Sequence, residues 1–110
     1  MCSSDLLHPE RVTEIVELHP IPMVLHGGTG LSADQFADLI SRGCAKVNIS
    51  TALKIAFVDA HQEYLEANPG KHDPPGMLAH VREAVKRMAI RHISMFGSAG
   101  RARPMATVVR

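Results

Sequence analysis

The 110-residue chain balances 12 Lys plus Arg against 11 Asp plus Glu, and a net charge of +1 leaves no electrostatic footprint for nucleic acid. Three Phe, one Tyr and no Trp argue against a base-stacking surface, and no apolar run approaches a membrane span. The length allows one domain at most, and the isolated thiols Cys2 and Cys44 show no metal or redox spacing, so a reducing cytoplasm is expected.

Met1–Ser4 reads as a loose start, without the basic-then-apolar pattern of a leader. Asp5–Leu18 is expected to be a helix, with Pro9 tolerable in its first turn and Val12, Ile15, Val16 and Leu18 on its apolar face. His19-Pro20 ends it, because a residue before proline is pushed out of the α region. Residues 21–25 are continuously apolar, the pattern of a parallel strand covered on both faces. Ser32-Ala33-Asp34-Gln35 is a capping-box pattern, and the helix it opens presents Phe36, Leu39 and Ile40 inward until Gly43 stops it. A second strand is expected over residues 45–49, with Cys44 just before it as a small core residue.

Leu53, Phe57, Ala60 and Tyr64 then recur at helical spacing up to Asn68-Pro69-Gly70. Lys71–Gly76 reads as a Pro-rich connection. A last helix from about Met77 to Met95 is expected to turn Leu78, Val81, Val85, Met88 and Ile93 inward and Arg82, Lys86, Arg87 and Arg91 outward. The order of elements is α/β with right-handed parallel crossovers. Two parallel strands do not make a self-sufficient sheet, so the chain is expected to be a piece of a larger one or to borrow strands.

The chemistry concentrates at the two strand-to-helix turns. His26 ends the first strand, where parallel α/β folds place catalytic groups, although a lone His more often bonds a nearby carbonyl. Gly27, Gly28, Thr29 and Gly30 then lead into a capped helix, and free N–H groups at a helix start bind phosphate. Asn48, Ser50 and Thr51 stand at the second turn, either as plain helix caps or as groups that hold a phosphate and a substrate oxygen. Gly28-x-Gly30-x-x-Ala33 also fits a dinucleotide fingerprint, but that reading wants an acidic residue where Asn48 stands. His61, His72, His80 and His92 receive no role, and the basic face of the last helix is a solvated surface.

Together, Val24-Leu25-His26-Gly27-Gly28-Thr29-Gly30-Leu31 and Ala45-Lys46-Val47-Asn48-Ile49-Ser50-Thr51 resemble the C-terminal third of a class II, zinc-dependent fructose- or tagatose-bisphosphate aldolase. The likeness runs from about Leu6 through Gly100 and includes Lys54-Ile55-Ala56-Phe57 and Phe96-Gly97-Ser98-Ala99-Gly100. It implies a partial (β/α)8 TIM barrel over residues 1–100, namely the last two βα units plus the C-terminal helix, and an irregular tail over 101–110. It also implies His26 as a ligand of Zn2+, with Gly27, Gly28 and Thr29 on the ketose-side phosphate. Asn48, Ile49, Ser50 and Thr51 would form the second substrate loop, with Ser50 standing where many relatives carry Asp. No residue matches the family's other zinc ligands or its general acid/base carboxylate, so the chain alone is expected to lack turnover. The implied partner is a sugar phosphate, and the full-length family implies a homo-oligomer. The alternatives are a non-catalytic phosphate-binding remnant that packs against a full-length subunit, and a small nucleotide-binding module.

Overall fold

A computed structural model describes residues 7–102 of the chain. The elements run α1 (Glu10–Leu18), β1 (Met23–His26), α2 (Ala33–Ser41), β2 (Cys44–Asn48), α3 (Thr51–Ala67) and α4 (Pro74–Met95). The expected α/β order is present, with boundaries moved by local chemistry. Helix α1 starts at Glu10 rather than Asp5: Pro9 takes the N-cap position and its ring disfavours α geometry at His8. Asp5 and Leu6 lie outside the described residues. Strand β1 begins at Met23 because Pro22 has no N–H to give a ladder, and it runs one residue further than expected, to His26.

β1 and β2 pair in parallel, with Val24 opposite Lys46, Leu25 opposite Val47 and His26 opposite Asn48. An irregularity between Met23 and Val24, with Met23 opposite Cys44, leaves Ala45 as the extra residue of β2. One side of the sheet is covered. Helix α2 packs against β2, and Phe36 of α2 meets Phe96 after α4 edge-on, with ring centroids 4.9 Å apart. The other side is open: Val24 is 43% exposed, against the expectation of a strand covered on both faces. Among the described residues no third strand flanks the pair.

Among the described residues the buried apolar ones are Phe36, Leu39, Cys44, Ala60 and Val81, a small core for their number. Burial pushes the Cys44 thiol up, which keeps it protonated and inert. Helix α1 is tied on by polar contact, the Arg42 guanidinium donating to Thr13 Oγ1 at 3.0 Å, and none of its side chains is fully buried. The radius of gyration is 18.6 Å, well above the ~13 Å of a compact domain of similar length.

Helices α3 and α4 form a hairpin around Ala60 and Val81. Phe57, Leu78 and Ile93, expected inward, are 48%, 54% and 46% exposed. The hairpin closes through its small residues, which turns these larger ones toward a side with no further layer among the described residues. Lys71–Gly76 is only half a connection, because α4 begins at Pro74. Proline at the first helical positions forfeits no hydrogen bond, and Asp73 caps the helix by accepting from the Gly76 N–H at 3.1 Å. Asp73 also accepts from the Tyr64 hydroxyl at 3.2 Å and lies 3.4 Å from Lys71 Nζ, so one carboxylate fastens both ends of the turn.

The Gly76 N–H, and after it Tyr64 and Lys71, hold the Asp73 carboxyl below its ordinary value of 3.8, against the opposing effect of burial. A depressed carboxyl stabilises the fold above the unfolded value and loses that contribution as pH falls through the folded one. Asp73→Asn keeps the cap geometry without a titrating group. Helical circular dichroism followed in urea should show wild-type stability falling from about pH 4 downward, with a shallower fall in Asp73→Asn. Equal pH slopes in the two proteins would remove Asp73 as the fastener.

Candidate functional site

The parallel pairing brings both strand-to-helix turns to one rim of the sheet. At the end of β1, Gly27 and Gly30 take φ of +69° and +96°, left-handed values that favour glycine. Gly28 between them is buried for a different reason. A Cβ there would stand 2.7 Å from Phe36 Cε1 and 3.5 Å from Ile49 Cδ1, so only hydrogen fits between the loop and the aromatic ring beneath it. The core thus sets the height of the glycine loop. Ile49 contributes packing below that loop, a part the sequence reading did not give it.

The two helix starts differ. Ser32 Oγ accepts from the Gln35 N–H at 3.1 Å and Gln35 Oε1 accepts from the Ser32 N–H at 2.8 Å, completing the expected capping box. The start of α2 is therefore partly satisfied by its own side chains. At α3, Ser50 holds the N-cap position with φ −131° and ψ −58° and makes no side-chain cap bond, while Thr51 is the first helical residue. Thr29 reaches across from the first loop instead, its Oγ1 accepting from the Ala52 N–H at 3.3 Å. Ser50 thus occupies the cap position without making the side-chain bond of a plain cap.

His26 and Asn48 end their strands as register partners, and Asn48 Nδ2 lies 3.3 Å from His26 Nδ1. The imidazole is exposed at the rim rather than turned into the core. Lys46, two residues before Asn48, shares its strand face and adds a positive charge there. The rim thus gathers His26, Gly27, Gly28, Thr29, Asn48, Ser50, Thr51 and the Ala52 amide. Sequence reasoning missed Lys46 and Ala52. The two-residue period of β2 could have shown Lys46, whereas only the fold shows the bond from Ala52 to Thr29.

The donor set for a metal is incomplete. A catalytic zinc needs about three protein ligands. Among the described residues no group of three His, Cys, Asp or Glu could hold an ion. Four of the other rings are engaged elsewhere: His8 with Glu10 at 3.2 Å, His61 with the Phe57 carbonyl at 2.8 Å, His92 with the Met88 carbonyl at 2.9 Å and His80 with Glu63 at 3.4 Å.

Comparison with known proteins decides the family. The model for class II fructose-bisphosphate aldolase matches residues 2–101. The chain belongs to the class II fructose-bisphosphate aldolase family. It is 40% identical over 92 residues to a fructose-bisphosphate aldolase of Geobacillus stearothermophilus, covering 84% of this chain and 32% of that protein. It is 34% identical over 93 residues to a 6-phospho-5-dehydro-2-deoxy-D-gluconate aldolase of Bacillus licheniformis, covering 84% of this chain and 32% of that one. The crystal structure of the YdjI aldolase of Escherichia coli K12 superposes with a TM-score of 0.80 at 34% identity, covering 90% of this chain and 36% of the other. The chain spans about a third of the length of the curated relatives it matches.

The glycine loop of this aldolase-family chain gives a direct test. Gly28→Ala should cost about 1–3 kcal/mol by overpacking Phe36. Gly27→Ala, where a Cβ would meet nothing within 4 Å, should cost only the ~1–2 kcal/mol of its left-handed backbone. Urea denaturation measures both. A Gly28→Ala protein as stable as wild type would show that Phe36 does not support the loop.

Proposed function

We propose that this chain carries the phosphate-gripping rim of a class II ketose-bisphosphate aldolase. The reaction is the reversible aldol cleavage of fructose or tagatose bisphosphate to dihydroxyacetone phosphate and glyceraldehyde 3-phosphate. The observation that carries this reading is the convergence of two loops, tied by the Thr29–Ala52 bond, beside the paired ends His26 and Asn48. In this reading the described elements are the last two βα units and the C-terminal helix of a (β/α)8 barrel. Such barrels commonly hold a phosphate between the loops after strands 7 and 8. The unpaired edges of β1 and β2 and the open face at Val24 support that placement.

The residues divide the substrate between them. Backbone N–H groups of Gly27, Gly28 and Thr29 and those at the start of α3 take the ketose-side phosphate, favoured by the helix dipole. Their geometry is set before substrate arrives, because Phe36 and Ile49 hold the glycine loop from below. Asn48, Ile49, Ser50 and Thr51 form the second wall, with the Asn48 amide at the carbonyl–hydroxyl end of the ketose. His26 supplies one ligand to Zn2+, which when bound polarises the ketose carbonyl.

No catalytic acid/base is assigned in this chain, and the remaining ligands would come from other strands. The 110 residues alone therefore lack turnover. A match of similar strength to aldolases named for different phosphorylated substrates supports a shared role in the phosphate end, not in choosing between fructose and tagatose bisphosphate. The partner is a sugar phosphate in a cytoplasmic homo-oligomer. Among the described residues no helix is long and apolar enough to cross a membrane. A second reading, a non-catalytic remnant packed against a full-length subunit, draws on the exposed apolar side chains Phe57, Val58 and Leu78.

The test uses the purified chain with zinc chloride and fructose bisphosphate. No cleavage is expected, while inorganic phosphate should shift the amide NMR signals of Gly27–Thr29 and of Ala52. Thr29→Ala should weaken those shifts several-fold. Cleavage by the isolated chain would overturn its incompleteness, and unmoved rim amides would overturn the phosphate site.

A further inference from the structure

The Phe96-Gly97-Ser98 run that ends α4 lies outside the rim, yet it reaches the rim's support. Two backbone bonds close it: the Gly97 N–H donates to the Ser94 carbonyl at 3.1 Å and the Ser98 N–H to the Ile93 carbonyl at 3.0 Å. Gly97 permits them with a left-handed φ of +71°, the arrangement that stops a helix at a fixed residue. Phe96 is thereby held at the C-cap of α4, half-buried, and its ring meets two others. The His92 ring, anchored to the Met88 carbonyl at 2.9 Å, lies edge-on to it with centroids 5.7 Å apart. Phe36 meets it edge-on at 4.9 Å and is itself only 1% exposed.

Of the loop's three glycines, Gly28 alone lies against the core. A Cβ at Gly27 or Gly30 would meet nothing within 4 Å, whereas one at Gly28 would run into Phe36 Cε1 and Cζ. The Gly28 carbonyl accepts from the Leu31 N–H at 3.1 Å, so the turn that follows moves with it. We propose that Phe96 is a positioning residue for the glycine loop: by setting the tilt of Phe36 it sets the height at which the loop's N–H groups stand. An edge-on ring pair has a preferred geometry, which an aliphatic side chain does not impose. The service to phosphate rests on the aldolase reading, whereas the packing chain from α4 to Gly28 stands on the contacts alone.

NMR of the labelled 110-residue protein, alone and then titrated with inorganic phosphate, tests both parts. Wild type should show Overhauser contacts from the Gly28 α protons to the Phe36 ring and from that ring to Phe96. Phe96→Leu should weaken the contact between Gly28 and Phe36 and lower phosphate affinity at the Gly27–Thr29 amides several-fold. Phe96→Tyr, which keeps the ring, should hold both near wild type. Gly97→Ala disturbs the left-handed turn without a clash and should act as a milder Phe96→Leu. Tyr64→Phe removes a bond to Asp73 instead. It should lower stability in urea and leave phosphate affinity unchanged, which separates positioning from plain loss of stability.

A wild type without the contact between Gly28 and Phe36 would overturn the proposal, and needs no variant. So would a Phe96→Leu protein that keeps the contact, or one that binds phosphate as tightly as a binding wild type. Equal losses of affinity in Tyr64→Phe and Phe96→Leu would trace the effect to stability and remove the positioning role. If wild type binds no phosphate, the aldolase reading of the rim fails. The Gly28–Phe36 contact in Phe96→Leu then still decides the packing chain.

Discussion

Parallel pairing of β1 and β2 is the constraint from which the rest of the site follows. Both strands must run the same way, so both strand-to-helix turns leave from a single edge of the sheet. The register then places His26 against Asn48, and nothing further is needed to bring their side chains within reach. An antiparallel pair would have sent the glycine loop and the start of α3 to opposite ends. The bulge at Ala45 sits at the far end of the ladder, away from the rim, so the pairing is regular where the chemistry lies.

Support for this rim comes from below and from the side. Phe36 fixes the glycine loop through a contact that only glycine at position 28 permits, and Phe96 fixes Phe36 in turn. The chain segment after α4 thereby reaches the site through two aromatic rings. The α3–α4 hairpin depends on Ala60, Val81 and the Asp73 fastening instead, and its larger apolar residues face outward. Burial of one such side chain is worth about 1.5–3 kcal/mol. Phe57, Val58, Leu78 and Ile93 thus represent stability that a further layer would supply.

Much of this was legible in the sequence because the signals are local. The capping box at Ser32 needs only residues three apart, and Gly43 with φ of +126° stops α2 where a glycine should. His26 and Asn48 at one sheet end followed from two strand–helix units in a row. What could not be read is what depends on partners distant in sequence. Leu78 has a helical period that marks an apolar face but does not say whether anything covers it. Ser50 looks like a cap, yet Thr29, over twenty residues earlier, makes the bond to the start of α3. Pro74 and Pro75 resembled a linker, although proline suits a first helical turn once Asp73 is there to cap it.

Site geometry and stability have different reach in this chain. The rim is built from contacts within two βα units, so its arrangement survives when the sheet has open edges. Stability is a sum over buried area, and a pair of strands with one covered face supplies little of it. Under the proposed barrel the two requirements meet: added strands would cover Val24, and they would also bring the ligands that His26 lacks. The same closure would exclude water from the rim, where the Asn48–His26 bond is now exposed and weak. In a lower-dielectric site that bond strengthens, and an amide turned the wrong way becomes costly. The contact between Asn48 and His26 is therefore expected to tighten as the barrel closes around it.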